Sequence, residues 1–130
     1  MIMPPIRKSD KWGEGHYGAS RGKRKHNGVD YACYPGSKVY PKSLGKVTKI
    51  GYPYSDDLSF LYVEVTTRGA LIERYFYIEP SVILGDIVSR DDIIGTTQKL
   101  GNRYPGITEH YHYERFKLIE GKKEYINPIK

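Results

Sequence analysis

Short apolar runs at a period of two, each closed by Gly, Pro or paired Asp, limit what this chain can fold into. Residues 58–67 carry the clearest pattern, with Phe60, Tyr62 and Glu64 alternating against Leu61, Val63 and Val65. On a strand those two sets point to opposite faces. Arg68-Gly69-Ala70 turns the run into residues 71–78, its hairpin partner. The same reading predicts strands at 29–33, 38–40, 45–50, 87–88, 93–97 and 110–117, with Pro35-Gly36 and Asp91-Asp92 in turns. No stretch keeps an amphipathic helical period, no segment repeats, and no linker divides the chain. Tyr, Val and Ile outnumber Ala, Leu and Met, and 14 Gly and 8 Pro are spread throughout. The expectation is an all-β, β-dominated antiparallel domain spanning residues 1–130, with residues 1–25 irregular.

Charge narrows the partners less than it first suggests. The chain carries 21 Lys and Arg against 15 Asp and Glu, a formal net charge of +6. Its densest basic run is Arg21-Gly22-Lys23-Arg24-Lys25. A solvated loop, a nucleic-acid patch and attraction to an anionic polymer such as a bacterial envelope all accommodate it. A nucleic-acid role predicts affinity that falls steeply with salt, and the strands hold no base-stacking motif, so no nucleic-acid partner is expected. Cys33, the only cysteine, excludes an internal disulfide and reads as a small buried filler. No segment approaches the roughly 20 apolar residues of a membrane span. Met1-Ile2-Met3-Pro4-Pro5-Ile6 is too short and Pro-rich for a signal-peptide core, so an extracytoplasmic target is expected to be reached by another delivery route, or a signal has been trimmed from the sequence.

Two histidine patterns carry the chemistry: His26-Asn27-Gly28-Val29-Asp30 and His110-Tyr111-His112. Two imidazoles and a carboxylate suit a zinc ion with one coordination position left open. On a strand, His110 and His112 share a face about 6.5–7 Å apart, so one can ligate while the other faces the reacting groups. His26 and Asp30 would stand about 13 Å apart if fully extended, so the chain must bend between them, and Gly28 tolerates a bend. Each pattern alone fits ordinary packed or surface histidines. Together they outline a hydrolytic metal centre.

The wider context resembles one family. The run from His26 to Ala32, continued by Tyr34-Pro35-Gly36-Ser37-Lys38-Val39-Tyr40, is similar to the His-x-Gly-hydrophobic-Asp opening of lysostaphin/LytM-type zinc endopeptidases and its Pro-Gly turn. Gly45-Lys46-Val47, Val82-Ile83-Leu84-Gly85-Asp86-Ile87-Val88 and Ile93-Ile94-Gly95 resemble its next strand, its Gly-Asp turn and the following Ile-Gly. Gly106 to Glu114 resembles its terminal His-hydrophobic-His-aromatic-Glu segment. The five segments fall in order over roughly residues 12–117.

The resemblance implies a compact antiparallel domain with a groove holding one Zn2+. His26, Asp30 and His112 would be its ligands and His110 the catalytic imidazole. It also implies a peptidoglycan peptide as substrate, and a phage lysis or tail-associated role would suit a small basic monomer of this kind. One position departs from the family. Its Tyr-x-His step reads Tyr75-Phe76-Tyr77 here, so Tyr77 stands where a histidine is usual. A phenol with pKa near 10 is a poor base but can donate to an oxyanion. His16, in the glycine-rich loop, is a second candidate to fold over the site. The alternative reading is a degenerate domain that binds wall or a partner protein without cutting it.

Overall fold

The computed structural model describes residues 4–21 and 24–128; the middle of the basic run and the first three residues lie outside the described residues. Among the described residues twelve strands follow in chain order: β1 (Ser20–Arg21), β2 (Arg24–Lys25), β3 (Gly28–Ala32), β4 (Lys38–Val39), β5 (Gly45–Gly51), β6 (Tyr62–Thr67), β7 (Ile72–Phe76), β8 (Ile78–Pro80), β9 (Ile87–Val88), β10 (Gly95–Thr97), β11 (His110–Ile119) and β12 (Lys122–Ile126). Helical geometry among the described residues is confined to one 3-10 turn, Leu100–Asn102. The main sheet runs β12-β11-β7-β6-β5-β9, with β3 added beside the first half of β11. A small sheet, β4-β10-β8, packs on it, and β1-β2 forms a separate ribbon. The strand pairings are antiparallel.

Alternation decides which residues enter the core. Val63 and Val65 of β6, Tyr75 of β7 and Tyr111 and Tyr113 of β11 are buried together with Val39, Ile78 and Ile94 of the small-sheet side. Each fully buried aliphatic or aromatic side chain contributes about 1.5–3 kcal/mol. The intervening residues of β11 (His110, His112 and Glu114) line a groove on the opposite face. That division places the chemistry. Cys33 packs half-buried against the core, and burial pushes its thiol up, which suits a filler better than a nucleophile.

Four segments depart from the sequence expectation. Within residues 1–25, the described ones hold the β1-β2 ribbon and bridges from Ile6 to Tyr31 and from Asp10 to Gly13 in an otherwise irregular segment. The strand expected from residue 58 starts at Tyr62. The Asp57 carboxylate accepts the Ser59 N–H at 3.1 Å, and Gln98 Oε1 takes the Leu61 N–H at 3.0 Å. The strand expected over 71–78 is split at Tyr77, whose φ is 70°. Finally, Glu120 and Gly121, with φ of 52° and 78°, turn the chain into β12, whose charged Lys122-Lys123-Glu124 start hides its strand character.

The core also encloses charge. Glu73 is fully buried and accepts hydrogen bonds from the Tyr75 and Tyr113 hydroxyls, with Arg115 Nε 3.5 Å away. Lys42 Nζ donates to the Tyr31 hydroxyl and lies 4.4 and 4.5 Å from the Tyr31 and Tyr113 ring centroids. Burial, with Arg115 nearby, brings the Lys42 ammonium down to about 8. A base whose folded pKa lies below its unfolded value, about 10.4, binds fewer protons folded than unfolded between those limits. Wild-type stability should therefore rise relative to Lys42→Met as pH goes from 8 toward 10. Paired melting curves at pH 7.5 and 9.5 check this; a constant difference between the two proteins contradicts it.

Candidate metal centre

Register brings the predicted ligands together. In the β3–β11 pairing, His112 stands opposite Asp30, Glu114 opposite Gly28 and His110 opposite Ala32. His26, just ahead of β3, is clamped by hydrogen bonds from its own N–H to the Ala19 carbonyl and from the Gly18 N–H to its carbonyl. Gly28 makes the approach possible by what it lacks. A Cβ there would lie 2.2 Å from the Tyr113 carbonyl oxygen and 2.9 Å from the His112 ring. Its role is close approach of β3 to β11, and its φ is not left-handed. Gly28→Ala is expected to cost about 1–3 kcal/mol or more, because the obstructing atom is backbone. Melting curves with and without zinc would read it, and an unchanged midpoint would count against this packing.

Three lone-pair donors converge. His26 Nε2 lies 3.0 Å from His112 Nδ1 and 3.2 Å from Asp30 Oδ1, and His112 Nδ1 is 2.9 Å from Asp30 Oδ1. The other nitrogen of each ring is already engaged. His26 Nδ1–H donates to the His16 carbonyl at 2.9 Å, and His112 Nε2–H donates to Glu114 Oε1 at 2.9 Å. With those protons so placed, the facing nitrogens turn lone pairs toward one another and toward a carboxylate, an arrangement that a proton or a metal ion between them satisfies. Ligand atoms about 2.0–2.1 Å from a tetrahedral zinc stand about 3.3 Å apart, close to this triangle. The residues fit the ion.

Electrostatics agree with the geometry. Burial pulls the His112 imidazolium down, but the Asp30 and Glu114 carboxylates more than offset this, and its pKa is pushed up to about 9. Burial opposes the Asp30 charge, yet His112 and His26 hold its carboxyl well below the usual range. The pocket is built to keep a positive charge between these groups.

His110 shares the groove but stands outside the triangle. Its Nδ1–H donates to the Thr108 carbonyl at 2.8 Å, and its Nε2 lies 3.5 Å from Asp30 Oδ2. Burial lowers its pKa, so the ring is neutral at neutral pH with Nε2 available as an acceptor. Tyr77 faces His110 edge-on at 5.9 Å between ring centroids. Strict alternation after Phe76 would send Tyr77 into the core beside Tyr75. Its left-handed φ re-aims it, and both Phe76 and Tyr77 line the groove. The backbone is pinned there by bonds from its N–H to the Leu61 carbonyl and from the Gln98 N–H to its carbonyl, both 2.8 Å.

Sequence reasoning missed the support behind Tyr77. The Tyr104 hydroxyl donates to Tyr54 at 2.8 Å, and Tyr54 donates to Tyr77 at 3.2 Å. The Arg103 Nε–H starts the chain on Tyr104 at 3.2 Å. Burial pushes Tyr77 up to about 12, so it remains a donor at any ordinary pH. His16, by contrast, offers its carbonyl and not its ring, which is exposed 3.2 Å from Glu14. Glu114, the last residue of the resembled terminal segment, accepts the His112 Nε2–H and so orients that ring, a contact its period-two spacing from His112 allows. The groove encloses about 430 Å³.

The family model for Peptidase family M23 matches residues 24–128, most of the chain and every one of these groove strands from β2 onward. The chain belongs to peptidase family M23. This M23 domain is 36% identical over 110 residues to leukocyte cell-derived chemotaxin-2 of Mus musculus, covering 84% of the chain and 72% of that protein. Its fold matches the catalytic domain of the prophage-encoded M23 protein EnpA from Enterococcus faecalis, in a mutant form, with a TM-score of 0.68 at 20% identity, over 98% of this chain and 96% of that one. It also matches lysostaphin from Staphylococcus simulans at a TM-score of 0.66 and 21% identity, over 92% of this chain and 48% of that one. The M23 domain is therefore of the lysostaphin/LytM type, nearly all β and antiparallel. No helix among the described residues is long and apolar enough to cross a membrane.

Proposed function

We propose that this chain is a zinc-dependent endopeptidase acting on peptide bonds of bacterial peptidoglycan. The observation that carries the reading is the triangle of His26, Asp30 and His112 with the bare His110 Nε2 beside it. His26, Asp30 and His112 would hold the ion. Zinc bound there would polarise the scissile carbonyl and lower the pKa of the attacking water toward about 7. His110 would take the proton from that water, because it is neutral and its open nitrogen faces the same carboxylate. Tyr77 would donate its hydroxyl hydrogen to the developing oxyanion, and the Tyr104–Tyr54 chain orients that hydroxyl. The groove's aromatic wall offers a peptide flat apolar faces with polar tips. A monomer delivered at phage lysis or carried on a virion, acting on the wall, suits the small basic domain.

The second reading, a domain that binds wall or a partner without cutting, draws on Tyr77 and on a relative named as a chemotaxin. The test is metal content, then wall clearing in the presence of zinc, for wild type and Tyr77→His. One equivalent of zinc with wild-type activity is expected. Activity seen only in Tyr77→His assigns the chain to the binding class. A protein without zinc and without activity when zinc is supplied rejects the hydrolase reading.

A further inference from the structure

Residues 4–15 lie along the outer edge of β3, the edge that β11 leaves open. The Ala32 N–H donates to the Pro5 carbonyl and the Arg7 N–H to the Asp30 carbonyl, both at 2.7 Å. The chain then loops out and returns, so that the Asp30 N–H donates to the Gly15 carbonyl at 2.7 Å. Gly15 has no room for a side chain, since a Cβ would lie 2.6 Å from the Arg7 Cβ and 3.1 Å from the Asp30 Cβ. Both backbone groups of Asp30 are thus held by this strap.

The Arg7 side chain, only 4% exposed, uses the strap for something more specific than edge sealing. Its Nε–H donates to Asp30 Oδ2 at 3.0 Å, while Asp30 Oδ1 faces His26 and His112. Its Nη1 donates to both Asp10 carboxylate oxygens at 3.0 Å. Asp10 Oδ2 in turn accepts the Thr108 N–H at 2.9 Å, and the Thr108 carbonyl holds the His110 Nδ1–H. One guanidinium therefore reaches the carboxylate ligand directly and the neighbouring imidazole through two links.

We propose that Arg7 and Asp10 are positioning residues of the metal centre, the first keeping Asp30 one-toothed toward the cation and the second fixing which nitrogen of His110 is bare. The proposal rests on the metal reading above for its first half only. An arginine occupying Oδ2 leaves Oδ1 alone for the ion and keeps one coordination direction open. Partners of this kind, behind a ligand, typically change metal affinity about 10–100-fold when removed. Arg is suited to the task because its planar fork spans two carboxylates at once, which a lysine point charge cannot do.

The experiment uses the full chain as Arg7→Met, Arg7→Lys and Asp10→Ala. It reads zinc affinity by chelator competition, melting in a metal-free buffer, and the histidine ring nitrogens by long-range proton–nitrogen NMR. Arg7→Met is expected to weaken zinc about 10–100-fold, with Arg7→Lys between it and wild type. Asp10→Ala is expected to weaken zinc less and to redistribute the His110 proton between its two nitrogens. Variants that lower the metal-free melting point while zinc affinity stays within twofold and the His110 signals do not move would overturn the proposal, leaving a purely structural strap. A wild-type protein that takes up no zinc sinks the metal reading and the first half with it. The second half is then decided by the His110 ring signal, which needs no metal.

Discussion

His110→Ala is expected to lower peptidoglycan hydrolysis by about 10²- to 10⁴-fold while one equivalent of zinc still binds. The separation follows from geometry. His110 Nε2 lies 3.5 Å from the outer Asp30 oxygen, whereas the three converging donors are His26 Nε2, Asp30 Oδ1 and His112 Nδ1. Removing the ring therefore deletes a proton acceptor and leaves the cation's donors in place. The loss should fall on kcat more than on KM, because the ring is asked to act only as the water gives up its proton. Zinc titration beside wall-clearing kinetics checks both halves. Activity within threefold of wild type removes His110 from the chemistry, and loss of zinc makes it a ligand.

Asp30→Ala should have the complementary outcome: zinc affinity falls by more than the 10–100-fold typical of a supporting partner, and activity disappears with it. Two positive groups would be left facing the vacated position, Arg7 at 3.0 Å and Arg21 at 3.6 Å from Asp30 Oδ2 in the wild type. The metal's contribution to stability should vanish as well. At free zinc a hundredfold above its Kd, the wild type gains about 2.7 kcal/mol, and the variant should show no zinc-dependent rise in melting temperature. Retention of tight zinc binding in Asp30→Ala would mean that the ion sits elsewhere.

The strands that can be read from the chain are those whose residue types alternate between the two faces. In β11 Tyr111 and Tyr113 enter the core, and His110, His112 and Glu114 between them are thereby set on the groove face. β12 is harder to see because its first three residues are exposed charges and its position comes from the Glu120-Gly121 turn. At the site, His26, Asp30 and His112 are visible from ligand type, spacing and the family resemblance. Gly28 is visible as necessary, although for space and not for bending. Arg7 carries no local mark. It meets Asp30 across 23 residues of sequence through an edge pairing that no periodicity encodes. Tyr54 and Tyr104 are hidden for the same reason, since their hydroxyls meet across 50 residues only after the loops close.

The twist at Tyr77 sets two demands on this protein against each other. A bulky aromatic is held where glycine or asparagine would rest with less cost, and neighbouring peptides keep it there. Glycine or asparagine at this position would ease the dihedral cost but remove the phenol from the cleft. The shape of the cleft wall is thus set against the ease of the backbone at one residue.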